Sequence, residues 1–208
     1  MKLIAVSAIF LTLVLATIAN AQPITTTKGA KSDEINLKIQ KLELLTKILP
    51  ILMTKQQYKD MLLAIAKARQ KMRVQKEGED DTLAKLDGTI SDALDAALTK
   101  GTYPSHDVEN AIVNANKDAS IKEAVLGAEV TEQIYAVVSQ SFNSGQIKVM
   151  AGSFADSYID STKKKGDLKD DFKVKFFIQA VFLDPYAFDI ISKLEDMTPA
   201  DTGKKDGG

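Results

Sequence analysis

The sequence predicts an all-α protein, an irregular bundle of about six or seven amphipathic helices behind a cleaved signal peptide. Three observations carry that prediction. Apolar residues recur at three- and four-residue spacings from Ile35 to Leu194, the period of a helix face rather than of a strand. Helix-stop and helix-start residues punctuate those segments: Pro50 before Thr54, Gly101 and Pro104 before Ser105, and Asp184 next to Pro185. Strand is a competing assignment only for Gln146 to Met150, and no partner strand is visible elsewhere.

Residues 1–21 have the three parts of an export signal. Lys2 gives a positive start, Leu3 to Ile18 is an apolar run broken only by Ser7, Thr12 and Thr17, and Ala19-Asn20-Ala21 matches a small-x-small cleavage site. The run is shorter than the ~20 residues a spanning helix needs, which argues against an uncleaved anchor. The expected mature chain starts at Gln22 and has no membrane span, and its destination is the periplasm or the extracellular space. No Cys follows the cleavage site, so lipid attachment has no acceptor there.

Without Lys2 the charge balance is 26 Lys+Arg against 28 Asp+Glu, net −2. So even a balance does not point to nucleic acid or to an acidic lipid surface. The absence of Cys excludes disulfides, thiolate catalysis and Cys metal sites. The remaining 187 residues are enough for one sizeable core. The expected organisation is a flexible leader over 22–31, a single helical domain over 32–196 and a disordered tail over 197–208.

Ser32 is placed to open the first helix, with Asp33 and Glu34 at its positive end. Ile35, Ile39, Leu42, Leu45 and Leu49 mark one apolar stripe; Leu44, Ile48 and Ile51 widen it, which suggests burial on two sides. Pro50 restricts Leu49 and offers no N–H, so the helix stops there. Thr54 and Gln57 then have capping-box spacing, with Met53 and Tyr58 placed as a hydrophobic staple.

A second helix, Thr54 to about Glu77, puts Tyr58, Met61, Leu62, Ile65, Ala68 and Met72 on one face. Its seven Lys and Arg against Asp60 and Glu77 make it net +5. Leu63 and Val74 fall on the basic side. They either pack on another helix, as scattered apolar groups commonly do, or join Lys59, Lys67 and Lys71 in a mixed basic and apolar partner-binding surface. Gly78 to Thr82 reads as a stop and restart, followed by a third helix with Leu83, Leu86, Ile90, Leu94 and Ala97. Residues 78–98 carry Lys85 against six acids, net −5. An antiparallel hairpin suits a +5 helix followed by a −5 helix; one long rod results if Gly78 sits inside a helix at a cost of ~1 kcal/mol.

Ser105 is expected to cap a short helix to about Asn116, and Ser120 with Glu123 to form a second capping box. The apolar segment it opens, Ala124 to Val138, should lie centrally, ending at Asn143-Ser144-Gly145. A less regular helix follows, then the charged connector Ser161 to Asp167. Asp184 is the expected N-cap of the last helix, with Pro185 at its first position. Five of the eight Phe lie between Phe172 and Phe188, so this C-terminal pair of helices should complete the core.

No constellation in the sequence argues for catalysis. Ser105-His106-Asp107 has the letters of a hydrolase triad, but consecutive helical side chains point ~100° apart and cannot form the nucleophile-base-orienter chain. His106 is the only His. Ser161-x-x-Lys164 lacks the companion S-D-N and K-T-G motifs. Asp92 with Asp95, and Asp167 with Asp170 and Asp171, belong to no Ca²⁺ loop and no Glu-x-x-His pair. Neither a phosphate loop nor a dinucleotide fingerprint is present. No cofactor is expected, and the expectation is a protein that is not an enzyme.

Met53-Thr54-Lys55-Gln56-Gln57 resembles the LTxxQ motif of the Spy/CpxP-like periplasmic proteins, with Met in place of Leu. The resemblance implies an exported, all-α, Cys-poor protein, often a cradle-shaped dimer, acting in envelope stress as a chaperone without ATP or as a regulator. It covers five residues; one copy of the motif is apparent where the family commonly has two, and the Phe-rich C-terminal part is a further departure. The resulting expectation is an exported non-enzymatic helical binding protein for a protein client or partner. The alternative is a structural, homo-oligomeric envelope protein without client binding, and a hydrolase or metal-dependent enzyme ranks third.

Overall fold

Helices account for most of residues 27–200, which are the residues that the computed structural model describes. The expected signal peptide, the leader as far as residue 26 and the tail from residue 201 lie outside them. The fold is all-α, with seven α-helices and no strand among the described residues. They are α1 (Thr27–Ile48), α2 (Lys55–Lys100), α3 (His106–Ser141), α4 (Ser144–Gly152), α5 (Asp156–Ile159), α6 (Asp170–Phe177) and α7 (Ala187–Met197). A 3₁₀ turn, Leu49–Ile51, follows α1, and a π-helical turn, Ile178–Phe182, continues α6.

Three helix boundaries before α4 differ from expectation. Helix α1 starts at Thr27, so Ser32 lies inside it and the last part of the leader is helical; of residues 28–31 only Gly29 is a poor helix former. Helix α2 runs unbroken through Gly78, so the +5 and −5 segments share one helix instead of forming a hairpin. Side chains bridge the glycine: Gln75 Nε2 donates to Glu79 Oε1 at 2.8 Å and Thr82 Oγ1 to the Gly78 carbonyl at 2.9 Å. Helix α3 likewise runs through the expected second start. Ser120 Oγ donates to the Asn116 carbonyl at 2.9 Å, so Ser120 and Glu123 are mid-helix residues and not a capping box. Nothing between Asn116 and Ser120 forces the chain out of the helix, and a cap needs such an exit.

A Cβ built on Gly78 meets nothing within 4 Å. Gly78→Ala is therefore expected to stabilise the helix by about 1 kcal/mol, seen as a later thermal transition and stronger ellipticity at 222 nm. A loss of both would mean that the chain turns at this residue.

The described chain divides into two compact units, residues 27–70 with 127–200, and residues 71–126. The first holds the core. Ile48, Ile51, Met61, Ile65, Val130, Ile134, Val138, Met150, Phe177, Ile178, Phe182 and Ile191 are fully buried there. Helix α1 packs against α7 and the π turn, and α4 against α6. The apolar surface of α1 is covered on one side only. Leu44, Ile48 and Ile51 are buried, whereas Ile35, Ile39, Leu42 and Leu49 stay at the surface.

The second unit is a helical hairpin made of the end of α2, the link Gly101–Ser105 and the start of α3. Gly101 ends α2 in the left-handed region at φ 65°, a conformation glycine adopts without a Cβ clash. Its N–H reaches the Ala97 carbonyl at 3.1 Å, and Thr102 Oγ1 reaches that of Ala96 at 3.0 Å. Ser105 opens α3, its Oγ accepting from the Val108 N–H at 3.4 Å. No residue of this unit is buried; Leu86, Ala93, Ala97, Val108, Ile112 and Ala115 are half-buried.

Candidate functional site

The junction after Pro50 is built as the sequence predicts. Thr54 Oγ1 accepts from the Gln57 N–H at 3.2 Å, and Gln57 Oε1 from the Thr54 N–H at 2.9 Å. Met53 and Tyr58 are both buried beside it, and burial pushes the Tyr58 phenol above its ordinary pKa. Leu52 enters in the left-handed region at φ 53° with its side chain 81% exposed. A branched residue in that conformation costs about 1 kcal/mol, which the surrounding hydrogen bonds offset.

A second capping box stands at the start of α4, where sequence reasoning saw only the end of a helix. Asn143 Oδ1 accepts from the Gln146 N–H and Gln146 Oε1 from the Asn143 N–H, each at 3.0 Å. The two boxes face each other through their glutamines. Gln57 Nε2 donates to Gln146 Oε1 at 3.0 Å, and Gln146 Nε2 to Gln57 Oε1 at 2.9 Å. Each carboxamide also donates to the carbonyl two residues before the opposite cap, Gln57 to Ser141 at 2.6 Å and Gln146 to Leu52 at 3.2 Å. Met53 before one cap and Phe142 before the other are both buried. The arrangement is a local two-fold repeat, Leu52-Met53-Thr54-x-x-Gln57 against Ser141-Phe142-Asn143-x-x-Gln146. Both glutamines are buried with donors and acceptors fully used, the condition under which a buried polar network specifies a structure. The signal that reveals the second box is its spacing, a cap residue three before Gln.

The basic face of α2 is divided by use. Lys55 pairs with Glu195 of α7 at 3.6 Å. The Arg69 guanidinium donates to the carbonyls of Asp184 and Pro185 at 3.3 and 2.6 Å and lies over the Phe188 ring. These two residues dock the C-terminal helix. Lys59, Leu63 and Lys67, spaced four apart, are exposed within the first unit, with Leu63 58% exposed. Lys71 and Val74 are also exposed but belong to the second unit. Asp184 Oδ1 accepts from the Tyr186 N–H at 2.8 Å, a turn that leads into α7, which begins at Ala187 and not at Pro185.

Asp156 is the buried carboxylate of the first unit. Lys173 Nζ lies 2.6 Å away, and the N–H groups of Gly166 and Leu168 donate to Oδ2 at 2.9 and 3.0 Å. It thereby pins the connector 160–168 to α6. Lys173 first, then the two backbone donors, hold its pKa at about 2. Because the folded value lies below the unfolded one of 3.8, the stabilisation is complete above the unfolded value and is lost as pH falls towards about 2. The stability gap between the wild type and Asp156→Asn is expected to close between pH 4 and pH 2 in denaturant titrations; a pH-independent gap would remove Asp156 from that role. Hydrogen bonds from Thr162 lower the Asp160 pKa in the same connector.

The short motifs do not assemble into a reaction centre. His106 is exposed and 3.5 Å from Glu109, and Ser105 serves as cap. Ser161 and Lys164 are exposed in the connector. No three His, Asp or Glu side chains among the described residues converge as a ligand set, and no described helix is long and apolar enough to cross a membrane. Comparison with family models, curated proteins and solved structures gives no match.

Proposed function

We propose that this is an exported helical binding protein that holds partly unfolded or extended protein clients without ATP. The observation that carries the reading is the large apolar surface left on α1: Ile35, Ile39, Leu42 and Leu49 recur on its outer side, followed by Leu52, and all are 48–81% exposed. Exposed apolar rows rimmed by charge mark interaction sites in soluble proteins. Lys38 and Lys41 interleave this row, and Lys59, Leu63 and Lys67 repeat the mixture on α2. The Asn143–Gln146 box repeats the cap-x-x-Gln spacing of Thr54–Gln57, with Phe142-Asn143 where the LTxxQ motif has Leu-Thr, and this repeat of spacing is what supports kinship with the LTxxQ proteins.

The chain is expected to suppress aggregation of a denatured test protein at stoichiometric ratio without nucleotide. Leu42→Asp, and Leu63→Asp with Lys67→Glu, are expected to weaken that effect severalfold while leaving far-UV ellipticity unchanged. No suppression by the wild type, or full suppression by both variants, would reject the reading. Export is tested separately by the mass of the secreted form, expected to start at Gln22.

A further inference from the structure

We propose that the Lys165–Gly166 bond is a processing site for an endopeptidase that cleaves after lysine, and that the cut chain is locked by an ion pair between its new α-amine and Asp156. The first observation is access. Endopeptidases take an opened segment rather than a helix, and exposed connections are where chains are nicked. Between residues 32 and 200 only Lys163, Lys164, Lys165 and Lys169 lie outside helices among the lysines. Three of them stand together in the connector, where Lys164, Lys165 and Gly166 are exposed; Lys169 directly precedes α6. The connector is tied mostly to itself. The Lys163 N–H donates to the Asp160 carbonyl at 2.9 Å, the Lys164 N–H to Asp167 Oδ2 at 2.7 Å and the Asp167 N–H to the Lys164 carbonyl at 3.1 Å. Such a segment opens locally without disturbing the core.

The second observation is what the cut leaves behind. The Gly166 N–H donates to Asp156 Oδ2 at 2.9 Å, and that carboxylate is buried, its side chain 2% exposed. Hydrolysis adds one water across the bond: Lys165 keeps a carboxylate, and the Gly166 nitrogen becomes an ammonium group. A neutral N–H on a buried carboxylate is thereby replaced by a cationic one, and a charge-assisted hydrogen bond is about twice as strong as a neutral one. Lys173 Nζ pairs with the other oxygen, Oδ1, at 2.6 Å, so the amine displaces no cation. There is room for the larger group, since a Cβ built on Gly166 meets nothing within 4 Å. A cut after Lys164 or Lys163 sets the amine one or two residues ahead of Gly166, at ~3.8 Å per residue. Only the cut after Lys165 places it at Asp156. The C-terminal piece is otherwise held by contacts that the cut leaves alone, the buried Phe177 and Phe182 and the bonds from Arg69 to the Asp184 and Pro185 carbonyls.

The inference does not depend on client binding and is tested without a client. Lysyl endopeptidase at a limiting ratio to the native chain is the probe. Between residues 32 and 200 the first cut is expected after Lys165, read from fragment masses, with both fragments eluting together where the uncut chain elutes. Labelled peptides of residues 166–208, one with a free α-amine and one N-acetylated, are then exchanged into the cut protein and followed as they leave it. The acetylated peptide keeps the Gly166 N–H and lacks the charge. The free-amine peptide is expected to be released at least fivefold more slowly, and Asp156→Asn should abolish that difference. If the variant does not fold, the acetyl comparison in the wild type decides alone. A first cut elsewhere in that range, fragments that separate, equal release of the two peptides, or a difference that survives Asp156→Asn would overturn the proposal.

Discussion

Gln57→Ala is expected to cost about 3 kcal/mol, and Gln146→Ala about as much, although neither residue belongs to the apolar core. Each replacement removes one member of a reciprocal amide pair, leaves the other carboxamide buried with an unused donor and acceptor, and opens a helix cap. A buried unsatisfied polar group costs about 1–3 kcal/mol, and a lost N-cap interaction about 1 kcal/mol. Once Gln57 is gone, much of the benefit of Gln146 is gone with it. The double variant should therefore fall short of the sum by about 1–2 kcal/mol, the coupling expected of residues in one network. Chemical denaturation of the four proteins, followed by far-UV ellipticity, gives the cycle. Strict additivity would mean that the two carboxamides do not bond to each other in solution. Thr54→Ala and Asn143→Ala break only their own box and should each cost about 1 kcal/mol.

Phe177→Ala should be still more damaging, at about 3–5 kcal/mol. Phe177 is fully buried, and its ring meets Phe182 edge to face at 5.2 Å and Phe154 at 6.3 Å. Truncation leaves a cavity among rigid rings and removes both contacts. Phe172→Ala, five residues earlier, is the matched control. Phe172 is 54% exposed, so its loss should stay within about 0.5 kcal/mol of wild type. Similar costs for the two substitutions would contradict the packing described for α6.

That pair of phenylalanines shows where sequence reasoning reaches its limit. Five Phe in a short C-terminal stretch are enough to predict that it completes a core, and it does so through Phe177 and Phe182. Which of the five turn inward depends on the direction from which α4 and the π turn approach. The same holds for α1. Its spacing shows an apolar helix, yet the minor row Leu44, Ile48 and Ile51 is buried, and of the leading row Ile35, Ile39, Leu42 and Leu49 stay at the surface while Leu45 is half-buried, because neighbours cover one side only.

Local chemistry, by contrast, was legible residue by residue. Pro50 ends a helix by steric restriction, and Thr54 with Gln57 starts the next by satisfying free N–H groups. Both effects act within a few bonds of the residues concerned, so the sequence alone determined that junction, together with the all-α class. Stop and start signals without a steric cause were less dependable, since Gly78 permits a helix end and Ser120 a helix start without requiring one; both lie inside long helices that continue through them. The link between Gln57 and Gln146 was decided only by the tertiary structure. The two boxes lie 89 residues apart, and nothing in either says that it will meet the other. Each carries an amide that needs partners once buried, and it is the packing of α3 and α4 against the start of α2 that buries both together.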